Sequence, residues 1–257
     1  MPVEIDPEQD EQELSGQMSF LDHLEELRKR IINSLIAIGV ALAVCWTFAD
    51  YLFKAVQRPI LKAGVSSLIV SSPTEGFNLE LKLALMAAVF LASPFVLGQV
   101  WLFISPGLYK HERRYALPFI FFSSLLFVVG GLFGYFVAFP FALRFLLEWE
   151  KNMGVTALIN ATQYFDLFIM VELGLAIIFE IPAVIFVLSR IGLVSGSFLL
   201  RNTRYAILAA FIIAAVITPT TDIPNMMMMA GPMVLLYMLG VLVAYLFGKK
   251  RTREPGD

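Results

Sequence analysis

An all-α membrane protein with six transmembrane helices, several bent at proline and the last two short, is the fold class the sequence predicts. Three observations point to it. The 257-residue chain is 58% hydrophobic and only 16% charged, with a mean hydropathy of +0.77. Soluble domains are about half apolar and about a quarter charged. The charges cluster between apolar stretches long enough to cross a bilayer, which takes roughly 20 residues of helix. Length alone would allow one or two soluble domains; the charge distribution argues against them. A formal net charge of −2 gives no sign of nucleic-acid binding.

The elements follow in order. Residues 1–18 hold Glu4, Asp6, Glu8, Asp10, Glu11 and Glu13 without apolar periodicity, and are expected to form a disordered acidic cytoplasmic tail. They lack the basic start of a cleaved signal peptide, so the first span is expected to remain in the mature protein. Residues 19–247 make up the six-helix transmembrane domain, and 248–257 a basic cytoplasmic tail. Ser19 and Asp22 have capping-box spacing, which predicts a helix start at Ser19. Phe20, Leu24, Leu27 and Ile31 then form one apolar stripe. The spans are expected at about 31–53, 79–105, 115–141, 163–189, 205–221 and 226–247. Only TPTTDIPN separates the fifth from the sixth, and a short span must thin the bilayer or pack on its neighbours. Pro94, Pro118, Pro140, Pro182, Pro219 and Pro232 lie in or beside spans and predict bends. Cys45 is the only cysteine, so no disulfide forms within the chain; it reads as a small buried hydrophobe.

Orientation is read from Lys and Arg near the span ends. Arg28, Lys29, Arg30, Lys110, Arg113, Arg114, Arg190, Arg201, Arg204, Lys249, Lys250, Arg251 and Arg253 fall on the side of the N-terminus. Lys54, Arg58, Lys62, Arg144 and Lys151 fall on the other, with Lys82 just inside the second span. Both termini are therefore expected in the cytoplasm. There is no HExxH, GxSxG or GxxxxGK[ST] motif and no cysteine pair, and His23 and His111 are far apart. Catalysis, a metal and a cofactor are not expected. No internal repeat supports a repeat-built transporter.

The candidate residues are acids. Glu26 has Arg30 one turn away, which allows an ordinary exposed ion pair worth about 0.3–0.5 kcal/mol. The functional alternative is an acidic acceptor at the membrane surface; Glu25 is its solvated neighbour. Glu112 is the one acid in the cytoplasmic loop WLFISPGLYKHERRYALP, residues 101–118, and carries the same two readings. Glu180 lies inside the fourth span before Pro182, where an ionised carboxylate costs roughly 2.5–3.5 kcal/mol to insert, which marks a functional candidate. Glu172 sits about 80° around the same helix and forms no obvious pair with it. Met226 to Met229 read as adaptable packing rather than a copper site. Asp222 reads as a helix cap or a turn residue.

HLEELRKR at 23–30, Pro59 in the first external loop, SPF at 93–95, QVWLFISPGLYKHERR at 99–114, FEIP at 179–182 and TPTTD at 218–222 together resemble the TatC family, the multispanning receptor of the twin-arginine protein translocase. The resemblance implies a protein that binds the paired arginines of the signal peptides of folded export cargo on the cytoplasmic face. It assigns that contact to Glu26 and Glu112, with Phe103 close by. It assigns contact with the single-span partners TatA and TatB to Glu180, and structural roles to Pro59, Pro94 and Asp222. It further implies an inner-membrane location, export driven by the proton-motive force, and possible self-association. Glu172 matches no motif of the family, and TPTTDIP is one residue longer than the commoner TPPD form. The alternatives from the residues themselves are a proton-coupled secondary transporter using Glu180 and a scaffold for partner helices.

Overall fold

The computed structural model describes residues 7–65, 67–104, 116–154, 158–218 and 222–248, which form helices joined by turns and loops, with no strand among the described residues. Helix α1 (Pro7–Trp46) starts well before Ser19, so the opening segment expected to be disordered is helical from Pro7 onward. Glu and Gln are good helix formers, proline fits a first helical position, and extending an existing helix avoids the cost of a new nucleus. The first span also ends earlier than expected. Helix α1 stops at Trp46, and a tight turn through Thr47 and Phe48 starts α2 (Ala49–Lys62). In α2, Ala49, Val56 and Ile60 are buried while Tyr51, Lys54, Arg58 and Lys62 are exposed. It is an amphipathic helix continuing the apolar run, and Pro59 lies inside it rather than in an irregular loop.

Helix α3 (Glu75–Ile104) is the second span. The third is α4 (Ala116–Phe133), one wide π turn at Gly134–Ala138, and α5 (Phe139–Asn152). Phe139 N–H reaches back five residues to the Gly134 carbonyl. The wide turn precedes Pro140, whose ring would meet the residue-136 carbonyl in a regular α-helix. The helix continues past the expected end at 141 because the charged residues of α5 fall on an amphipathic face. The fourth span is α6 (Ala161–Ile178), a turn at Phe179–Glu180, and α7 (Ile181–Arg190). Helices α8 (Gly196–Arg201), α9 (Thr203–Ile217) and α10 (Ile223–Phe247) complete the described chain. Among the described residues, 5 helices are long and apolar enough to cross a membrane. The expected fifth span is α9, whose 15 residues fall short of that length; at 1.5 Å per residue it is about 22 Å long.

Packing is uneven. Helix α1 leans mainly on α3, where Ala41 and Cys45 meet Ala84, Ala88 and Ala92 in a seam of small residues. Only 6% of its apolar window is buried, against 56% for the fourth span. That span is the hub: Phe165, Phe168, Val171 and Leu175 are fully enclosed by the main core cluster. Helix α10 packs on α7 and α9.

Two prolines inside helices free carbonyls that side chains then satisfy. Pro94 has no N–H for the Phe90 carbonyl, and Ser93 Oγ donates to that oxygen at 2.8 Å. Pro59 leaves the Ala55 carbonyl in the same state, and Tyr135 Oη donates to it at 2.7 Å. Tyr164 Oη adds a bond of 2.7 Å to the Val56 carbonyl. In an apolar medium an unmet carbonyl is costly, so these hydroxyls tie α2 to the third and fourth spans.

Candidate functional site

Three carboxyls form three different environments. At the end of the molecule where α3 finishes, Glu26 is half-buried on α1. Arg30 Nη2 donates to its Oε1 at 2.9 Å, and Arg30 Nη1 lies 3.4 Å from Gln99 Oε1 on α3. This is the i,i+4 pair that the spacing allows, with a link to a second helix added. The Glu26 and Arg30 side chains retain 30% and 24% of their accessibility, so solvent screens the pair and its own stabilisation is at most about 1 kcal/mol. One turn back, the His23 ring stacks on Phe103 with centroids 4.6 Å apart. Phe103 is half-buried in the last turn of α3. Glu26, Arg30, His23, Gln99 and Phe103 thus form one patch across α1 and α3. Glu25 is exposed. Glu112 lies outside the described residues.

Glu180 occupies the turn between α6 and α7, with Pro182 in the first turn of α7. Its Oε2 accepts a hydrogen bond from Ser123 Oγ on α4, while its Oε1 is buried without a partner among the described residues. Ser123 also lines an apolar groove of about 410 Å³, walled by Phe119, Phe122, Phe186 and Phe247. At ten residues from Arg190, Glu180 is about 15 Å along the helix from that end of the span.

Glu172 is 3% exposed, and its Oε1 has no hydrogen-bond partner among the described residues. Its seat is the widened turn of the third span. A Cβ added at Gly134 would lie 2.9 Å from Glu172 Oε1 and 3.0 Å from Oε2, and one at Gly131 would lie 3.5 Å from Oε2. Gly134 makes the space the carboxyl fills, whereas the tight neighbour of Gly131 is the Phe90 ring, at 2.5 Å from such a Cβ. One turn on, a Cβ at Gly130 would meet Ala176 Cα at 2.8 Å, so the third and fourth spans touch backbone to backbone.

The residues given structural roles have distinct places. Pro94 and Pro59 sit in α3 and α2 with their carbonyls capped as above. Asp222 is the N-cap of α10: its Oδ1 accepts from Asn225 N at 2.8 Å, and Asn225 Nδ2 donates to its Oδ2 at 2.8 Å. In the methionine run, Met229 is buried and Met227 exposed. Sequence reasoning anticipated Arg30 as the partner of Glu26 but passed over Gln99 beside them, and Ser123 and Gly134 as the counterparts of the interior acids. Gln99 stands in the motif that carries the resemblance; Ser123 and Gly134 have no local signal, since packing alone brings them to Glu180 and Glu172.

A polytopic helical membrane protein with an arginine-paired glutamate at one end and two carboxyls seated at helix breaks is the class that this fold and these sites define. The family model described as "Sec-independent protein translocase protein (TatC)" matches residues 22–232. The protein of that name from Koribacter versatilis is 49% identical over 248 residues, 95% of this chain and 91% of its own length. The one from Desulforapulum autotrophicum is 37% identical over 241 residues, 93% of this chain and 88% of its own. A crystal structure described as the twin-arginine translocase receptor TatC superposes with a TM-score of 0.75 at 36% identity, covering 86% of this chain and 97% of that one. The chain belongs to the TatC family and is a subunit of the Sec-independent protein translocase.

Proposed function

We propose that this chain is the receptor subunit that binds the twin-arginine signal peptides of folded cargo, at the face formed by Glu26 and Phe103 and completed by Glu112. The observation that carries the reading is the state of Glu26. Its carboxylate already holds one guanidinium, through Oε1, and Oε2 accepts no hydrogen bond among the described residues. Arg30, steadied by Gln99, fixes the carboxylate without consuming it. An incoming arginine gains charge-assisted hydrogen bonds of about 1.5–3 kcal/mol each at such an acceptor. Its planar fork suits a carboxylate where a lysine ammonium does not. The His23–Phe103 stack beside it offers an apolar and aromatic edge to the residues that follow the arginines.

In this reading the Glu26 face is cytoplasmic, both termini lie in the cytoplasm of an inner membrane, and α9 is a short fifth of six spans. TatA- and TatB-type single-span partners pack near Glu180, where the groove walled by Phe119, Phe122 and Phe186 accepts an apolar helix. The proton-motive force drives assembly and transport, and the chain itself is not an enzyme. The test is binding of a synthetic twin-arginine signal peptide to the detergent-solubilised protein. A twin-lysine peptide and the Glu26→Gln/Glu112→Gln variant are each expected to lose at least about tenfold in affinity. Equal binding in all combinations would remove the receptor site from these carboxylates.

The unpartnered oxygens of Glu172 and Glu180 are the feature a proton-coupled solute transporter would use. Proton-driven solute uptake by the purified protein alone in vesicles is the result that reading requires.

A further inference from the structure

At the end of the molecule opposite Glu26, α2 and α5 enclose a hollow of about 280 Å³. Lys54, Arg58 and Lys62 follow one another at four-residue spacing and so share one face of α2, and all are exposed. Arg58 and Lys62 line the hollow from that side, and Arg144 of α5 lines it from the other. No acid is among its lining residues. None of these cations forms an ion pair among the described residues, where the salt bridges are Arg30–Glu26 and Lys82–Asp166. An adjoining hollow shares Arg144 and adds Lys151, with Glu148 as its acid. Of the cations that fall on this side of the sequence, Arg58, Lys62, Arg144 and Lys151 therefore converge on one place.

The walls are built rather than incidental. Tyr135, from the wide turn of the third span, lines the hollow and donates to the Ala55 carbonyl that Pro59 leaves free. This bond fixes the distance between the α2 cations and α5. Tyr51 and Trp149, 73% and 61% exposed on the two helices, are the kind of aromatic side chains that mark a membrane–water interface. From the hollow, Phe136 at 68% exposure continues onto the outward face of the third span.

We propose that this hollow is a binding site for an anionic phospholipid, its phosphodiester held by Arg58, Lys62 and Arg144 and its acyl chains lying along Phe136. A free phosphate would use the cations alone. The exposed aromatic rings of interface type, and the apolar track leading from the cations, favour the lipid. Zwitterionic lipids bring an ammonium that three cations repel, so the site selects net negative headgroups. The inference is independent of the signal-peptide reading and survives its failure.

The test is titration of the detergent-solubilised protein with phosphatidylglycerol and phosphatidylethanolamine, followed by native mass spectrometry. The wild-type chain is expected to retain phosphatidylglycerol preferentially. Taking each cation near a lipid surface as about a fivefold contribution, Arg58→Gln/Arg144→Gln should weaken it by roughly thirtyfold. Arg58→Lys/Arg144→Lys should keep the preference. Equal retention of the two lipids, or undiminished binding in the glutamine variant, overturns the proposal. Displacement by inorganic phosphate at the lipid's own concentration overturns it in favour of a free anion. If the glutamine variant does not fold, a photoactivatable phenylalanine analogue at position 136 with all cations intact decides the matter in equimolar mixed vesicles. Preferential crosslinking to phosphatidylglycerol supports the site, and equal crosslinking to both lipids refutes it.

Discussion

Glu26 and Glu172 are both helical glutamates of one chain, and their surroundings are opposites. Glu26 stands on α1, a helix that leans mainly on α3, and meets one arginine through one oxygen while keeping about a third of its side chain accessible. Glu172 stands on the hub helix, almost wholly enclosed, with Gly134 against its carboxyl. A carboxylate of the first kind stabilises the fold little and is open to a ligand. One of the second kind is matched to its neighbours by shape, and any change there is felt in packing. Glu180 lies between them, with one oxygen bonded to Ser123 and one buried bare. The position of an acid in this fold thus sorts an accessible acceptor from a packed one.

The comparison can be broken most severely at the glycines. Gly130→Ala drives a methyl into the Ala176 backbone and should cost about 3 kcal/mol, read as a fall in thermal unfolding of the solubilised protein. Gly134→Ala should cost about 1–2 kcal/mol, because the atoms it meets are the carboxylate of Glu172. Adding Glu172→Ala should recover most of the Gly134 loss and none of the Gly130 loss. Equal behaviour of the two glycines would deny Glu172 its shape-matched seat.

Smaller effects sharpen the picture. Ser123→Ala leaves both Glu180 oxygens without a donor and should cost about 1–3 kcal/mol in the same melting experiment. Ser93→Ala should cost about 1 kcal/mol in the wild-type chain and close to nothing beside Pro94→Ala, where a backbone N–H takes over the Phe90 carbonyl. Equal costs in both backgrounds would show that the serine does not serve the proline. Smallest of all, Glu26→Gln should change stability by less than about 1 kcal/mol, as expected of a screened pair.

The sequence reading and the structure part company in physically intelligible places. Apolar runs located the long spans, because lipid-facing helices have no other way to satisfy their backbones. They misplaced the end of the first span, since only Thr47 and Phe48 separate α1 from an α2 that is itself half apolar. They cut the third span short at 141, where charge enters but helix continues. The start at Ser19 was a sound local signal overridden by the helix-forming residues before it. At the site, the pairing of Glu26 with Arg30 was legible from spacing, and the Glu180 break from Pro182. The proximity of Gln99, Ser123 and Gly134 was not, because each comes from a helix distant in sequence. The prolines illustrate both sides: their positions are plain to read, whereas Tyr135 as the hydroxyl that serves Pro59 appears only after folding.

We propose that the solvent-accessible carboxylate of Glu26 reads the signal while the interior ones do not. This division is tested most directly by the affinity of one twin-arginine peptide for the wild-type chain and for Glu26→Gln, Glu172→Gln and Glu180→Gln, each checked for folding. The account predicts a loss of at least about tenfold for Glu26→Gln alone, with the interior variants within twofold or so of wild type. Wild-type affinity in Glu26→Gln, or a loss confined to the interior variants, would contradict it.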